Sequence, residues 1–197
     1  MEKANRTIVI SSEIDERVAG EIIAFIDEIN AIDDYWASTS IGYQPEPIRI
    51  KINSGGGSAT DGFAIIGAIE ESQTPVITYA MGMVGSMALA IYVAGHVRAS
   101  SRHTRFLYHG VQYSMLGRLK EHKNRQEEVE LIQRMYDVLM EERTKFPMDE
   151  MKKIQDSGID FTFSAREAFK LGIVDKVAVR PEYNFAIAED EELEKAE

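Results

Sequence analysis

Apolar residues in this chain follow two spacings, one typical of strands and one typical of helices. The β-branched run Thr7 to Ile10 and the alternation of isoleucine with charged residues from Ile48 to Ile52 each predict a strand. Apolar residues at steps of three and four from Val18 to Ile29 predict a helix between those strands. The chain is therefore expected to begin with a strand, a helix and a second strand.

The same alternation continues through the rest of the chain. Further helices are predicted at about 61–71, 87–94, 119–145 and 148–157 and from 165, and further strands at 76–80, 97–99, 104–108 and 174–179. Residues 33–47 mix Ser, Gly, Pro and acidic residues, which predicts a loop or a ragged helix end. Repeated strand-then-helix units favour a parallel sheet with crossover helices, and hence an α/β fold.

Length and composition indicate one folded domain. A chain of 197 residues can bury one substantial core, and 44% hydrophobic with 28% charged residues is typical of a globular protein. We expect a single domain over residues 1–188. Residues 189–197 form an acidic tail that we expect to be solvated and disordered.

Charge and cysteine content narrow the function classes. The net charge of -11 disfavours non-specific binding to nucleic acid or membrane surfaces, so protein or peptide partners are expected. The absence of cysteine excludes disulfides, cysteine-ligated zinc and thiol nucleophiles. The apolar run near the first residues is too short for a signal peptide or a membrane span, which predicts a cytoplasmic protein. We predict no cofactor and no metal site.

Two glycine-rich turns each leave a predicted strand and enter a predicted helix. Such junctions direct backbone N–H groups toward one point, which suits a developing oxyanion or a phosphate. In the first turn, Ser54 to Ser58, no lysine-serine pair follows Gly57 and no third fingerprint glycine follows, so nucleotide binding is disfavoured. The second turn ends at Ser86.

Ser86 is the candidate nucleophile, because it would begin a helix of small residues whose N-terminus favours negative charge nearby. A plain N-cap serine is the competing interpretation, and on the pattern alone it is favoured. The segment from Gly82 to Ser86 matches the G-x-S-x-G elbow only loosely, since Gly85 precedes the serine directly and Met87 follows it.

A serine nucleophile needs a base, and the chain has four histidines. His109 follows an apolar strand and precedes Gly110, a placement typical of catalytic groups in α/β sheets. His96 and His103 flank a short polar turn, and His122 lies on a charged helix. His109 is therefore the preferred base, although a lone histidine at a strand end is more often structural.

The third member should be a buried carboxylate that orients the imidazole. Asp160 lies between Ile159 and Phe161, where apolar neighbours could shield it. Asp156, at a charged helix end, and Asp175, near the last strand, compete with it. Spacing alone leaves this choice open.

Taken together, these segments resemble the proteolytic subunit of the Clp protease family over roughly Ile48 to Val179. Four stretches carry the resemblance: Ile52 to Ser58, Met81 to Met87, Tyr108 to Gly110, and Asp160 to Ala168 with Gly172 to Asp175. The resemblance implies a serine peptidase in which Ser86 attacks the peptide carbonyl, His109 transfers the proton and Asp160 orients His109. It also implies that the backbone N–H groups of Gly57 and Met87 form the oxyanion hole.

The same resemblance implies an architecture and an assembly. The expected fold is the crotonase-like fold of stacked β/α units, with the long helix from Leu119 to Lys145 as a handle that joins two stacked seven-membered rings. Active sites would then face an enclosed chamber that takes peptides or unfolded proteins. Residues 112–117 would form an extended strand that aligns a substrate peptide. A Clp-type unfoldase ATPase is a further implied partner.

Three departures from the family pattern keep other interpretations open. Gly55 stands where the family usually has proline, Gly110 and Val111 stand where it has glutamine and proline, and the short segment before the first strand leaves no room for long axial loops. The last point argues against dependence on an ATPase. The alternatives are a catalytically silent or trigger-dependent ring subunit, a phage-type processing protease, and a crotonase-fold enzyme acting on acyl-coenzyme A.

Overall fold

A computed structural model describes residues 5–114, 116 and 118–178 of the chain. The elements are, in order, β1 (Thr7–Ile10), α1 (Glu16–Thr39), β2 (Ile48–Ser54), α2 (Ala59–Glu71), β3 (Val76–Gly85), α3 (Met87–Ala94), β4 (Val97–Ser101), β5 (Arg105–Tyr108), α4 (Leu119–Arg143), α5 (Met148–Ser157), β6 (Phe161–Ser164), α6 (Ala165–Lys170) and β7 (Lys176–Ala178). The predicted strand-then-helix order is confirmed. The expected acidic tail at 189–197 lies outside the described residues.

The sheet is mainly parallel, as the crossover pattern predicts. Its main path runs β1-β2-β3-β4-β7, and every pair along that path is parallel. β5 pairs in parallel with β3 and antiparallel with β6, so β6 is the one antiparallel strand among the described residues. The α/β prediction is confirmed.

β3 belongs to two ladders at once. Its first half, Ile77 to Ala80, pairs with β4, and its second half, Met83 to Gly85, pairs with β5. The strand changes direction between them at Gly82, which has a φ of 60°. A Cβ there would lie 2.5 Å from Oδ1 of Asn53, so only glycine fits. The bend brings the ends of β3 and β5 side by side.

The core lies between the sheet and its crossover helices. Ile48, Ile50 and Ile52 of β2 are fully buried, while Arg49 between them is exposed, as the alternation predicts. All eight residues of α3 are buried, which explains its unbroken run of small and apolar residues. Within the described residues, no helix is both long and apolar enough to cross a bilayer.

Several local predictions differ from the structure: β3 continues past the predicted end at residue 80 to Gly85, and the strand β6 was not predicted. The spacing of apolar residues over 119–145 predicts a buried stripe of Ile132, Met135, Tyr136 and Leu139 on α4. Tyr136 and Leu139 are buried, but Met135 is 43% exposed, because α4 touches the body of the chain along one narrow face. Residues 112–114 and 116 form no strand, whereas an extended strand was expected over 112–117. A strand needs a neighbouring strand to receive its hydrogen bonds, and none of the strands within residues 5–178 that the structure describes pairs with that segment.

Candidate active site

The ends of β3 and β5 form one wall of a cavity of about 400 Å³. Ser86 follows the last residue of β3, and His109 follows the last residue of β5. The carboxyl ends of neighbouring parallel strands meet at one edge of a sheet, which is the usual place for ligands and catalytic groups. The backbone N–H of Ser86 donates to the carbonyl of Leu107 at 3.0 Å, which ties the two strand ends together.

Four of the five predicted site residues line this cavity: Ser86, His109, Gly57 and Met87. Asp160 does not line it. The remaining walls come from the start of α2, from residues 111–113 and from α4, including Phe63, Ile132 and Tyr136. The predicted nucleophile, base and oxyanion groups therefore share one cavity, and the predicted acid lies outside it.

Ser86 does not behave as an ordinary helix cap. It has φ 51° and ψ -129°, and it is the only described residue other than glycine with a positive φ. Its side chain makes no capping hydrogen bond to the start of α3. A non-glycine residue in so sparsely populated a conformation costs on the order of 1–3 kcal/mol, and such residues cluster at functional sites. The interpretation of Ser86 as a plain N-cap serine is therefore not supported, and its role as a nucleophile stays a prediction.

The backbone N–H groups of Gly57 and Met87 face no acceptor within the described part of the chain. Gly56 keeps the space beside them open, because a Cβ on Gly56 would lie 3.0 Å from the nitrogen of Met87 and 2.7 Å from the Cβ of Ser86. Met87 also begins α3, where the helix dipole favours negative charge. Two unpaired donors near a serine are the arrangement that stabilises an oxyanion.

The turn that carries Gly57 is held against the start of the chain. The N–H of Ile14 donates to the carbonyl of Gly56 at 2.9 Å, and the N–H of Ser58 donates to the carbonyl of Ile14 at 2.8 Å. Gly57 has a φ of 150°, and a Cβ on it would lie 2.3 Å from the carbonyl oxygen of Ile14. The close approach of the two backbones therefore requires glycine at this position.

His109 is half-buried, and its Nδ1 lies 2.5 Å from the carbonyl oxygen of Gly110. A carbonyl can only accept, so a hydrogen bond here places the proton on Nδ1 and leaves the Nε2 lone pair free. That tautomer is the one a general base needs. Among the described residues, no hydrogen bond joins His109 to Ser86 or to Asp160.

Asp160 lies near His109 in the fold but does not contact it through a hydrogen bond. β5 and β6 are antiparallel with Tyr108 opposite Phe161, so the same register continued by one position would put His109 opposite Asp160. Asp160 is exposed, whereas a shielded carboxylate was expected. Its neighbours Ile159 and Phe161 are themselves 69% and 37% exposed, so they do not shield it from solvent.

The two competing aspartates have other surroundings. Both oxygens of Asp175 accept hydrogen bonds from Arg98, the nearer at 2.5 Å, and these bonds lower the pKa of Asp175 against the opposing effect of burial. Asp156 is exposed near the end of α5. Neither lines the cavity, so neither gains support as the orienting acid.

Sequence reasoning missed the contribution of α4 to the site. Tyr136 was assigned to an apolar stripe, yet its hydroxyl donates to the carbonyl of Ser86 at 3.1 Å. Gln133 was not considered, yet its Oε1 accepts from the N–H of Val111 at 2.7 Å. One signal was available, since a tyrosine in a buried stripe usually has a hydrogen-bond partner.

The described residues contain no group of three or more His, Cys, Asp or Glu side chains arranged to hold a metal ion. The cavity instead combines a strained serine at a strand-to-helix turn, a histidine on the neighbouring strand and two unpaired N–H groups. A parallel α/β sheet with this combination at its edge is typical of serine hydrolases.

The chain belongs to the Clp protease family, whose model matches residues 2–181. It is 33% identical over 175 residues to the ATP-dependent Clp protease proteolytic subunit of Pleurastrum terricola, covering 88% of this chain and 83% of the relative. It is 30% identical over 176 residues to the subunit of the same name from Chlorella vulgaris, covering 88% and 82%. The resemblance noted from the sequence is confirmed.

A solved structure agrees with these relatives. A variant of ClpP1 from Listeria monocytogenes superimposes with a TM-score of 0.74 at 25% identity, covering 89% of this chain and 92% of that one. The crotonase-like fold of the ClpP proteins, expected from the sequence, is therefore the fold of this chain. Family and fold together make the chain a peptidase-family protein.

Proposed function

We propose that this protein is a serine-type endopeptidase that cleaves peptides or unfolded proteins through a covalent acyl-enzyme. One observation carries the proposal: Ser86 is held in a strained backbone conformation, without a capping role, in the same cavity as His109. The unpaired N–H groups of Gly57 and Met87 support it. The proposed roles are nucleophile for Ser86, base for His109, orienting acid for Asp160, and oxyanion donors for Gly57 and Met87.

In the proposed reaction, Oγ of Ser86 attacks the peptide carbonyl while Nε2 of His109 takes its proton. The carbonyl oxygen becomes an oxyanion that accepts hydrogen bonds from Gly57 and Met87. His109 then gives the proton to the leaving amine, and the acyl group stays on Ser86 as an ester. Water, deprotonated by His109, then attacks the ester; the C–O bond to Ser86 breaks, His109 returns the proton to Oγ of Ser86, and the second product leaves as a carboxylic acid.

The substrate peptide would lie along residues 111–113, which line the cavity and pair with none of the described strands. An extended peptide added there would supply the strand partner that the segment lacks. Its main chain would then be aligned with Ser86. This arrangement favours extended or unfolded substrates over folded ones.

Self-assembly into rings, two stacked heptamers in the family's design, belongs to the same proposal. The relatives carry the name "ATP-dependent Clp protease proteolytic subunit", which supports an assembly and a Clp-type unfoldase ATPase as a partner. A stripe on α4 supports a protein contact, since Leu131, Met135 and Val138 share one face and are 43–50% exposed. Gly55 and Val111, where the sequence departs from the family pattern, lie outside this stripe.

A trigger-dependent ring subunit is the second candidate. The observation that favours it is that Nδ1 of His109 contacts the carbonyl of Gly110 and that Asp160 is exposed. A movement of His109 or of β6 would then have to bring the two side chains together before efficient turnover. In this candidate function the catalytic residues are the same, but His109 and Asp160 are not aligned in the resting protein.

Labelling with a fluorophosphonate tests the proposal directly. The purified protein is treated with the reagent, the adduct is located by peptide mass spectrometry, and the assembly is measured by native mass spectrometry. We expect an adduct on Ser86 and none in Ser86→Ala. Ser58→Ala is the matched control, because Ser58 begins α2 as Ser86 begins α3, and it should be labelled at the wild-type rate. An adduct formed equally in Ser86→Ala would overturn the proposal.

The role of Asp160 is tested in the same assay. Asp160→Asn should slow labelling of Ser86 by on the order of 10²-fold or more, because the imidazole loses its orienting acid. Asp156→Asn, an exposed aspartate on the adjoining helix, is the matched control and should leave the rate unchanged. Equal rates for the two variants would remove Asp160 from the triad and leave the carbonyl of Gly110 as the orienting group.

A further inference from the structure

Side chains on one face of α4 reach both segments that carry the proposed catalytic pair. Gln133, Tyr136 and Asp137 lie three and four residues apart and therefore share a face of the helix. We propose that Tyr136 and Gln133 are positioning residues that hold Ser86 and His109 in register. This inference rests on the proposed function. It adds Tyr136 and Gln133 to the proposed site as residues that contact neither the scissile peptide bond nor the transferred proton.

Tyr136 fixes the backbone of the nucleophile. Its side chain is buried, and its hydroxyl donates to the carbonyl of Ser86 at 3.1 Å. Burial raises the pKa of Tyr136 well above its usual value, so the phenol remains a donor at any working pH. The same carbonyl accepts from the N–H of Leu89 at 2.9 Å. It also accepts a longer bond of 3.4 Å from the N–H of Ala90, so the direction of this carbonyl is fixed by two bonds from α3 and one from α4.

This hydrogen bond matters because the Ser86 backbone is strained. The peptide group that follows Ser86 carries both the carbonyl that Tyr136 contacts and the N–H of Met87, one of the proposed oxyanion donors. A rotation of that peptide group would move the donor as well as the serine. If the Tyr136 hydroxyl is removed, the carbonyl of Ser86 still accepts from the N–H of Leu89. We therefore expect the orientation of the Ser86 peptide group to change more than the free energy of unfolding.

Gln133 fixes the histidine side of the site. Its Oε1 accepts from the N–H of Val111 at 2.7 Å, and its Nε2 donates to Oδ1 of Asp137 at 2.8 Å. Nε2 of Gln155 donates to the same Oδ1 at 2.8 Å and to the hydroxyl of Tyr108 at 2.6 Å. The residues on both sides of His109 are thus linked to α4.

One rigid helix therefore holds the turn after β3 and the segment after β5. Tyr136 and Gln133 lie one turn apart on α4, so a displacement of either strand end must stretch a hydrogen bond to the same helix. The relative position of Ser86 and His109 follows from this shared attachment. A loss of either bond should lower the rate of attack while the cavity that receives the reagent stays intact.

The test is the concentration dependence of fluorophosphonate labelling at Ser86. Tyr136→Phe should lower the maximal labelling rate about tenfold and leave the half-saturating concentration unchanged, because position is lost and binding is kept. Gln133→Leu should also lower the maximal labelling rate at an unchanged half-saturating concentration. This variant tests the positioning roles by itself if Tyr136→Phe does not fold. Tyr35→Phe and Gln126→Leu, on exposed helix positions, are the matched controls and should match the wild type.

The outcomes separate the two proposals. A labelled wild type with Tyr136→Phe and Gln133→Leu labelled as fast as their controls would overturn the positioning roles and keep the peptidase. A lowered melting temperature with an unchanged maximal rate would also overturn them, since it indicates a merely structural bond. A wild type that forms no adduct at Ser86 would overturn the proposed function and the positioning roles with it.

Discussion

Ser58 and Ser86 occupy matching places in two successive strand-to-helix units, and they behave differently. Each follows a glycine and precedes the first residue of a helix. Ser58 has a φ of -60°, and its side chain accepts from the N–H of Asp61, as an N-cap serine does. Ser86 has a φ of 51° and caps nothing. Two serines in matching local sequence contexts therefore adopt different conformations, and only one of them caps its helix.

The cause of the difference lies outside the local sequence. Ser86 is held by groups distant in the chain: its N–H donates to Leu107 and its carbonyl accepts from Tyr136. Ser58 is held by Ile14 through its N–H and by its own helix through its hydroxyl. The comparison teaches that a free serine hydroxyl at a helix start is produced by tertiary contacts that outweigh the capping preference.

The largest expected effect is that of Gly56→Ala. The new Cβ would lie 2.7 Å from the Cβ of Ser86 and 2.9 Å from the carbonyl of Gly85, at a φ of 115°. We expect a loss of about 2 kcal/mol in the free energy of unfolding and a fall of about 10²-fold in the labelling rate of Ser86. Urea unfolding and labelling kinetics measure the two. An unchanged labelling rate would mean that Gly56 does not shape the Ser86 turn.

A glycine at each serine should give effects of opposite sign. Ser86→Gly removes the strain of a positive φ and should raise the free energy of unfolding by about 1 kcal/mol, with all labelling lost. Ser58→Gly removes a working cap and should lower that free energy by a few tenths of a kcal/mol, with labelling kept. Urea unfolding of both variants provides the comparison. A destabilised Ser86→Gly would show that the native contacts relieve the strain completely.

The smallest effect is expected for Gly55→Ala. A Cβ there meets no atom within 4 Å, and Gly55 is not among the described glycines with positive φ. The unfolded chain loses freedom, so the free energy of unfolding should rise by about 0.4 kcal/mol with labelling unchanged. Thermal unfolding and labelling report the result. A large loss of activity would mean that the turn needs more freedom at Gly55 than its open surroundings indicate.

Much of the fold could be predicted because local pattern and tertiary role agree. The alternation in β2 matches its buried and exposed faces, and the apolar run from Met87 to Ala94 matches a wholly buried helix. The strand predicted over 112–117 is not formed by residues 112–114 and 116, since a strand there depends on a partner that the described part of the chain does not supply. Met135 shows the same limit, because helical spacing does not say how wide a face the neighbours cover.

The candidate site divides in the same way. Ser86, His109, Gly57 and Met87 were found because each follows or begins an element whose end is readable in the sequence, and the structure gathers them in one cavity. The side-chain environment of Asp160 was not predictable, since its shielding depends on surfaces that no local pattern encodes. Tyr136 and Gln133 were missed because their partners are backbone groups about fifty and about twenty residues away.

The forked pairing of β3 has a consequence for the nascent chain. The contacts that hold the backbone of Ser86 come from β5 and α4, which are synthesised after it. On a nascent chain that ends at α3, these contacts are absent, so nothing holds Ser86 at a positive φ. The turn around the proposed nucleophile is therefore completed only when Tyr136 has been synthesised and has docked. On the proposed function, the last contacts that hold the reactive serine form only after most of the chain has been made.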